Sequence, residues 1–255
     1  AVIAITAYGD WKTGSYGSWT SRSEHKMNGA ERTKYHEKRE FMRAQYEEEK
    51  RQEHLRSAEK AFELWSGAVQ ATEHEYLTKK GVGASTGLKV GEDGRLIIPI
   101  AVDGEITSLQ YINNDGAKRF LTGGKIKGGW FLIEGEKDVI YIAEGYSTAR
   151  SVHEATGKTV YVAFNAGNLY EVSGYARSAH PASRLIVAGD DDTNSTGNVG
   201  RTKAEQVSAG LNIEVVFPTG FNDFNDMHHA MGIKSIESLL CPKNLERKRL
   251  WLLVV

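Results

Sequence analysis

"VIYIAEGYSTARSVHEATGKTVYVAFNAGN", residues 139–168, opens on an apolar run rich in β-branched side chains, crosses a helix-forming stretch and returns to a second apolar run. An amphipathic strand alternates polar and apolar residues. A run apolar throughout is buried on both faces, as the strands of a covered parallel sheet are. Two more such runs follow, "RLIVAGD" (184–190) and "IEVVFPT" (213–219), with helical stretches "AGNLYEVSGYARSAH" (166–180) and "GRTKAEQVSAG" (200–210) between the strands. Four strands alternating with helices predict an α/β fold: a parallel sheet with helices on both faces. "NDFNDMHHAMGIKSIESLL" (222–240) reads as one final helical segment after the fourth strand.

Upstream the period changes. Residues 87–135 consist of β-type runs punctuated by Asp93-Gly94, Asp103-Gly104 and Asp115-Gly116, the dipeptides of tight hairpin turns. They predict a small antiparallel sheet that includes "FLI" (131–133). From about Asn28 to Trp65 there is no proline and only one early glycine among good helix formers, which predicts one long, charged helix. Residues 1–24 have the look of a small hairpin in which Trp11 and Trp19 are packing residues. The implied organisation is a β-rich piece (1–27), a helical spacer (28–72), a basic subdomain (73–137), an α/β domain (138–240) and a tail (241–255).

Composition narrows the chemistry. The 255 residues include 40% hydrophobic and 25% charged side chains, the balance of an ordinary globular protein. With Cys241 as the only cysteine, neither a disulfide framework nor a cysteine-rich zinc module can form within this chain, and a reducing cytoplasm is the natural location. Neither the first residues nor "LWLLVV" (250–255) has the length of a signal or membrane anchor, so no membrane is expected. A formal net charge of −1 means that any nucleic-acid surface must be a local patch. Lys118, Arg119, Lys125 and Lys127 occur with no acid between them, on strand ends and a glycine-rich loop: they read either as ordinary solvated lysines on a hairpin or as a phosphate-facing patch, since glycines let a polyanion approach the backbone.

The acids collect at the strand ends. Open α/β sheets bind ligands beyond the carboxyl ends of their strands, where strand order reverses, and in a 2-1-3-4 order that point lies between strands 1 and 3. Strand 1 ends in Glu144 and strand 3 in Asp190, Asp191 and Asp192; Asp223 and Asp226 follow strand 4. Carboxylates about 5 Å apart repel by roughly 3 kcal/mol per pair at an effective dielectric near 20. A divalent cation such as Mg²⁺, which prefers oxygen ligands, reverses that sign. Alternation along an extended segment makes Asp190 and Asp192 the better ligands and turns Asp191 away. The blander reading is an Asx-rich turn that caps the next helix. Adjacent His228 and His229 project differently on a helix and read as solvated or core imidazoles; Asn165 and Asn168 read as turn formers.

"IAEGYSTA" (142–149), "VAGDDD" (187–192) and "NDFND" (222–226) together resemble the Toprim domain shared by bacterial-type DNA primases, type IA and II topoisomerases and some nucleases. "GRLIIPIAVDGEITSLQYI" (94–112) and "KRFLTGGKIKGGWFLI" (118–133) resemble the basic subdomain that precedes Toprim in primases, with phage- and plasmid-encoded primases and primase-helicases the nearest likeness. That resemblance implies template-directed synthesis of short RNA primers from NTPs on single-stranded DNA, with Mg²⁺ or Mn²⁺ and in company with a replicative or fused helicase. It implies that Asp190 and Asp192 hold metal and that Glu144 is a further ligand or a base. Asp223 and Asp226 would complete the metal site, unless one of them caps the last helix. Arg119, Lys125 and Lys127, with Lys118 less securely, would meet the NTP triphosphate or the template backbone; Arg201 and Lys203 would meet phosphate at the start of a helix. The zinc module of cellular primases has no cysteines here to build it. Tyr146 beside Glu144 is not read as a topoisomerase nucleophile. Two rivals stand beside this reading: a Toprim nuclease using the same acids, and a non-catalytic DNA-binding replisome module.

Overall fold

The computed structural model describes residues 5–10, 15–21, 23–191 and 197–240. The chain divides into two compact units, residues 1–55 and 56–255. In the first, β1 (Ile5–Asp10) and β2 (Ser15–Thr20) pair antiparallel as the expected hairpin, and α1 (Gly29–Gly67) begins. Asn28 and Glu31 start α1 with a reciprocal capping box: the Asn28 N–H donates to Glu31 Oε2 and the Glu31 N–H to Asn28 Oδ1, both at 2.9 Å. Trp19, expected to pack, is 56% exposed, because a two-stranded ribbon offers its side chain a single layer. Trp11 lies outside the described residues.

The second unit is built on two sheets. The antiparallel one runs β3 (Val69–Gln70), β4 (Lys89–Val90), β5 (Leu96–Val102), β6 (Glu105–Ile112), β7 (Lys118–Phe120), with α2 (Glu75–Lys79) between β3 and β4. Its two faces are chemically distinct. Ile97, Leu109 and Tyr111 pack with Ala61, Trp65 and Ala68 at and just beyond the end of α1, whereas Leu96, Ile98, Ile100 and Ile112 join the main core.

That core is shared with the second sheet, which comprises β8 (Phe131–Ile133), β9 (Glu136–Ala143), β10 (Lys158–Val162), β11 (Arg184–Ala188) and β12 (Glu214–Val216) in the order β12-β11-β9-β10-β8. β9 to β12 are parallel and stand in the 2-1-3-4 order. Val139, Tyr141 and Ala143 of β9 face α3 (Tyr146–Thr156), α6 (Phe224–Met231) and α7 (Ile233–Leu240); Ile140 and Ile142 face α4 (Leu169–Ala179) and α5 (Val199–Leu211). The uniform apolarity of these strands thus reflects burial under helices on both sides.

Two expectations are corrected. β8 does not belong to the antiparallel sheet: it adds to β10 as an antiparallel edge strand, with Val160 opposite Ile133 and Val162 opposite Phe131. The last helical segment is two helices, since Gly232 ends α6 at φ +78°, a conformation that costs glycine little and breaks the helical repeat. Among the described residues no helix is long and apolar enough to cross a membrane.

Candidate active site

Register brings the acids together. Ala143 ends β9 directly opposite Ala188 at the end of β11, so Glu144 lies level with Gly189 and one residue from the level of Asp190. At the usual strand spacing their backbones are about 6 Å apart. Glu144 and Asp190 are both half-buried. The Gly189 N–H donates to Val216 O (2.9 Å) and the Asp191 N–H to Asn222 O, which tie the acidic turn to the segment after β12. Gly189 is required there: a Cβ would lie 2.5 Å from the Phe217 ring.

Asp191 is turned away from that rim and fully engaged. Arg201 grips it with two hydrogen bonds, Nε to Oδ1 at 2.9 Å and Nη2 to Oδ2 at 2.7 Å, while Asn198 Nδ2 donates to Oδ1 at 2.7 Å. The Arg201 guanidinium and the Asn198 amide hold the Asp191 carboxyl down at about 2. Arg201 also stacks on Phe217, 4.0 Å from the ring centroid, and Lys203 pairs with Gln206 on the helix surface. Arg201 therefore spends its fork on the protein. Asp192 lies outside the described residues.

The two later acids have different surroundings. Asp223 is the N-cap of α6, accepting the Asp226 N–H at 2.7 Å, and burial pushes its carboxyl up. Asp226 lines a cleft of about 730 Å³ together with Tyr76, Lys79, Lys80, Lys118 and His229. Lys118 reaches from β7 to the acidic rim, its ammonium 3.7 Å from where a Cβ on Gly145 would lie, next to Glu144. The Tyr76 hydroxyl is buried without a hydrogen-bond partner. Asn225, fully buried, fixes the cleft wall by donating to Lys80 O (2.8 Å) and Ser151 Oγ (3.1 Å).

The four cations of the expected patch separate. Lys118 and Arg119 are neighbours on a strand and so point to opposite faces. Lys118 faces the acids; Arg119, paired across from Tyr111, lines a groove beside Lys60 and Leu64 of α1. Lys125 and Lys127 are exposed on the loop between β7 and β8, and Lys127 meets Glu171 of α4 at 3.0 Å. Lys79 and Lys80 carry no local signal, because they belong to the cleft only through the fold, and His229, expected as a solvated or core imidazole, lines that cleft. Strand alternation would have separated Lys118 from Arg119.

Tyr146 is buried, its hydroxyl donating to Gly83 O at 2.9 Å and sharing a hydrogen bond with Ser85 Oγ, and burial pushes it up to about 12. It fastens α3 to the segment after α2. Among the described residues, no three His, Cys, Asp or Glu side chains are arranged as a ready metal cluster. Glu144 and Asp190 share the strand-end rim through their backbones, and Asp226 lines the adjoining cleft; carboxylates of this kind are the hard oxygen donors that Mg²⁺ and Mn²⁺ favour.

Residues 139–234 match the family model described as Toprim domain. Two DNA primases named TraC from Escherichia coli are similar to the chain: one is 31% identical over 220 residues, 81% of this chain and 20% of that protein, and the other 34% over 154 residues, 56% of this chain and 11% of that protein. The chain thus spans a fifth or less of the length of these relatives. Among solved structures, a DnaG primase catalytic domain bound to single-stranded DNA superposes with a TM-score of 0.49 at 12% identity, covering 78% of this chain and 80% of that one.

Proposed function

The chain carries a Toprim domain within a sequence homologous to DNA primases, and from that premise we propose that it is a primase catalytic core. It would synthesise short RNA primers on a single-stranded DNA template by nucleotidyl transfer from NTPs. One observation carries this reading: an acidic rim at the ends of β9 and β11 borders a cationic cleft, with Lys118 at the junction. Phosphoryl transfer needs both, because the substrate brings three or four negative charges to a centre where more charge develops.

Glu144, Asp190, Asp192 and Asp226 would hold a divalent cation, Mg²⁺ or Mn²⁺; when bound, such an ion lowers the pKa of the attacking 3′-hydroxyl and stabilises charge on the phosphoryl oxygens. Lys80, Lys118 and His229 orient the triphosphate. The Lys118 ammonium stands beside Gly145 at the positive end of α3, against the helix dipole, and an anionic ligand offsets that placement. The 3′-hydroxyl of the growing primer attacks the α-phosphate, its proton leaves with solvent or Glu144, and pyrophosphate departs toward the lysines. Lys125 and Lys127 offer a second phosphate-facing surface, for template or nucleotide. By the same reading the catalytic domain spans residues 138–240 and the basic subdomain 73–137, the partner is a helicase separate or fused, and the location is cytoplasmic.

A primer-synthesis assay on single-stranded DNA with NTPs and Mg²⁺ or Mn²⁺ tests it. The wild-type chain is expected to make short RNA, and Glu144→Gln and Asp190→Asn to lose at least about 100-fold in rate while still binding DNA. Unchanged synthesis by both variants would remove these acids from the reaction; DNA degradation that needs no NTP would make the chain a nuclease.

A further inference from the structure

We infer that Asn168 is a positioning residue that holds the Lys125–Lys127 loop where its cations meet phosphate, an inference that rests on the primase reading above. The loop "LTGGKIKGGW" (121–130) carries four glycines. A segment so rich in glycine loses much entropy on ordering and does not by itself keep two lysines in place.

Asn168, 2% exposed, supplies the missing constraint. Its Oδ1 accepts the Gly128 N–H at 2.7 Å. Its Nδ2 donates to Gly129 O at 2.7 Å, Ala163 O at 3.0 Å and, more weakly, Ile126 O at 3.3 Å. One buried amide therefore joins Ile126, Gly128 and Gly129 of the loop to Ala163 at the carboxyl end of β10. The ordinary alternative is an N-cap, since Asn168 immediately precedes α4, yet its side chain makes no capping hydrogen bond to that helix. The amide is committed to a loop some 40 residues away in sequence.

The surroundings agree. Phe164, just upstream, has φ +69°, a left-handed conformation that costs a bulky residue about 1–3 kcal/mol. Its buried ring packs edge-on against Phe120 at the end of β7, with centroids 6.4 Å apart. From the other side Thr107 Oγ1 donates to Lys125 O at 2.7 Å, and Gly129 sits so close to Ile100 that a Cβ would lie 2.5 Å from it. The backbone is thus clamped from both sheets while the lysine side chains remain exposed.

The test uses the full chain in four forms: wild type, Asn168→Ala, Lys125→Ala/Lys127→Ala and the triple variant. Binding of a fluorescent single-stranded oligonucleotide is measured across a salt series, and KM and kcat for NTP in primer synthesis. Asn168→Ala is expected to weaken DNA binding or raise KM by about ten-fold with kcat within about two-fold. If the lysines serve the template, the salt slope flattens by about 1 to 2; if they serve the triphosphate, only KM moves. Adding Asn168→Ala to the lysine-free background should change little further, because the residues act as one unit. An effect of undiminished size in that background, or a lowered Tm with neither Kd nor KM altered, overturns the inference. Should Asn168→Ala fail to fold, hydrogen exchange on the wild type decides: a protected Gly128 amide supports the clamp, and exchange at the rate of a free loop overturns it. A wild-type chain that binds DNA but makes no RNA sinks the primase reading, while the salt-slope comparison still judges Asn168.

Discussion

Arg201 and Asp191 form a two-pronged ion pair at 2.7 and 2.9 Å, and this pair occupies the middle of three consecutive acids at the candidate rim. With its folded pKa lowered to about 2 against about 4 in an unfolded chain, Asp191 stabilises the fold fully above pH 4. That contribution is lost as pH falls from about 4 toward 2. In chelator, Arg201→Ala should therefore cost about 1–2 kcal/mol at pH 7, and the gap from wild type should close on acidification. Urea unfolding at several pH values measures it. A gap that is constant down to pH 2 would assign the loss to the stacking of Arg201 on Phe217 instead.

Lys118 and Arg119 should behave differently although they are adjacent. Lys118→Ala is expected to raise KM for NTP by about ten-fold, and Arg119→Ala to leave it within about two-fold, because only Lys118 faces the acids. Steady-state kinetics on both variants, with folding checked by circular dichroism, decides. Equal effects would show that the two cations reach the same ligand.

Gly189 carries a steric prediction. A methyl group there meets the Phe217 ring at 2.5 Å and Ala204 Cβ at 3.2 Å, so Gly189→Ala should cost about 1–3 kcal/mol. Moving Phe217 also disturbs the platform under Arg201. A Gly189→Ala chain that melts with the wild type would mean that Phe217 has room to swing aside.

Asn225→Ala should cost about 1–3 kcal/mol by leaving Lys80 O and Ser151 without their buried donor. In a unit of this size that is about 2–4 °C of Tm per kcal/mol. Because Asn225 steadies the Lys80 turn, KM for NTP should rise in the same variant while affinity for DNA is kept. Calorimetry and kinetics on one preparation read both.

What the sequence made legible was governed by local period. The four apolar strands, their helices and the adjacency of the ends of β9 and β11 followed from burial patterns and the ordinary strand order. The partner of β8 did not, since "FLI" has the same local character whether it pairs with β7 or with β10. Asp223 and Asp226, three residues apart at a helix start, could not be ranked until the Asp223 cap was seen. Asn168 looked like a turn former because a bond from a side chain to a loop about 40 residues away leaves no periodic trace.

The pairing of β8 with β10 has a practical consequence for dissecting the chain. A fragment cut at the point where the parallel-strand pattern begins, near residue 138, would discard that seam and bare the backbone N–H and C=O groups of Val160–Val162 on the outer side of β10. Such a fragment would be prone to zip onto copies of itself, whereas one begun upstream of Phe131 keeps its own border sealed.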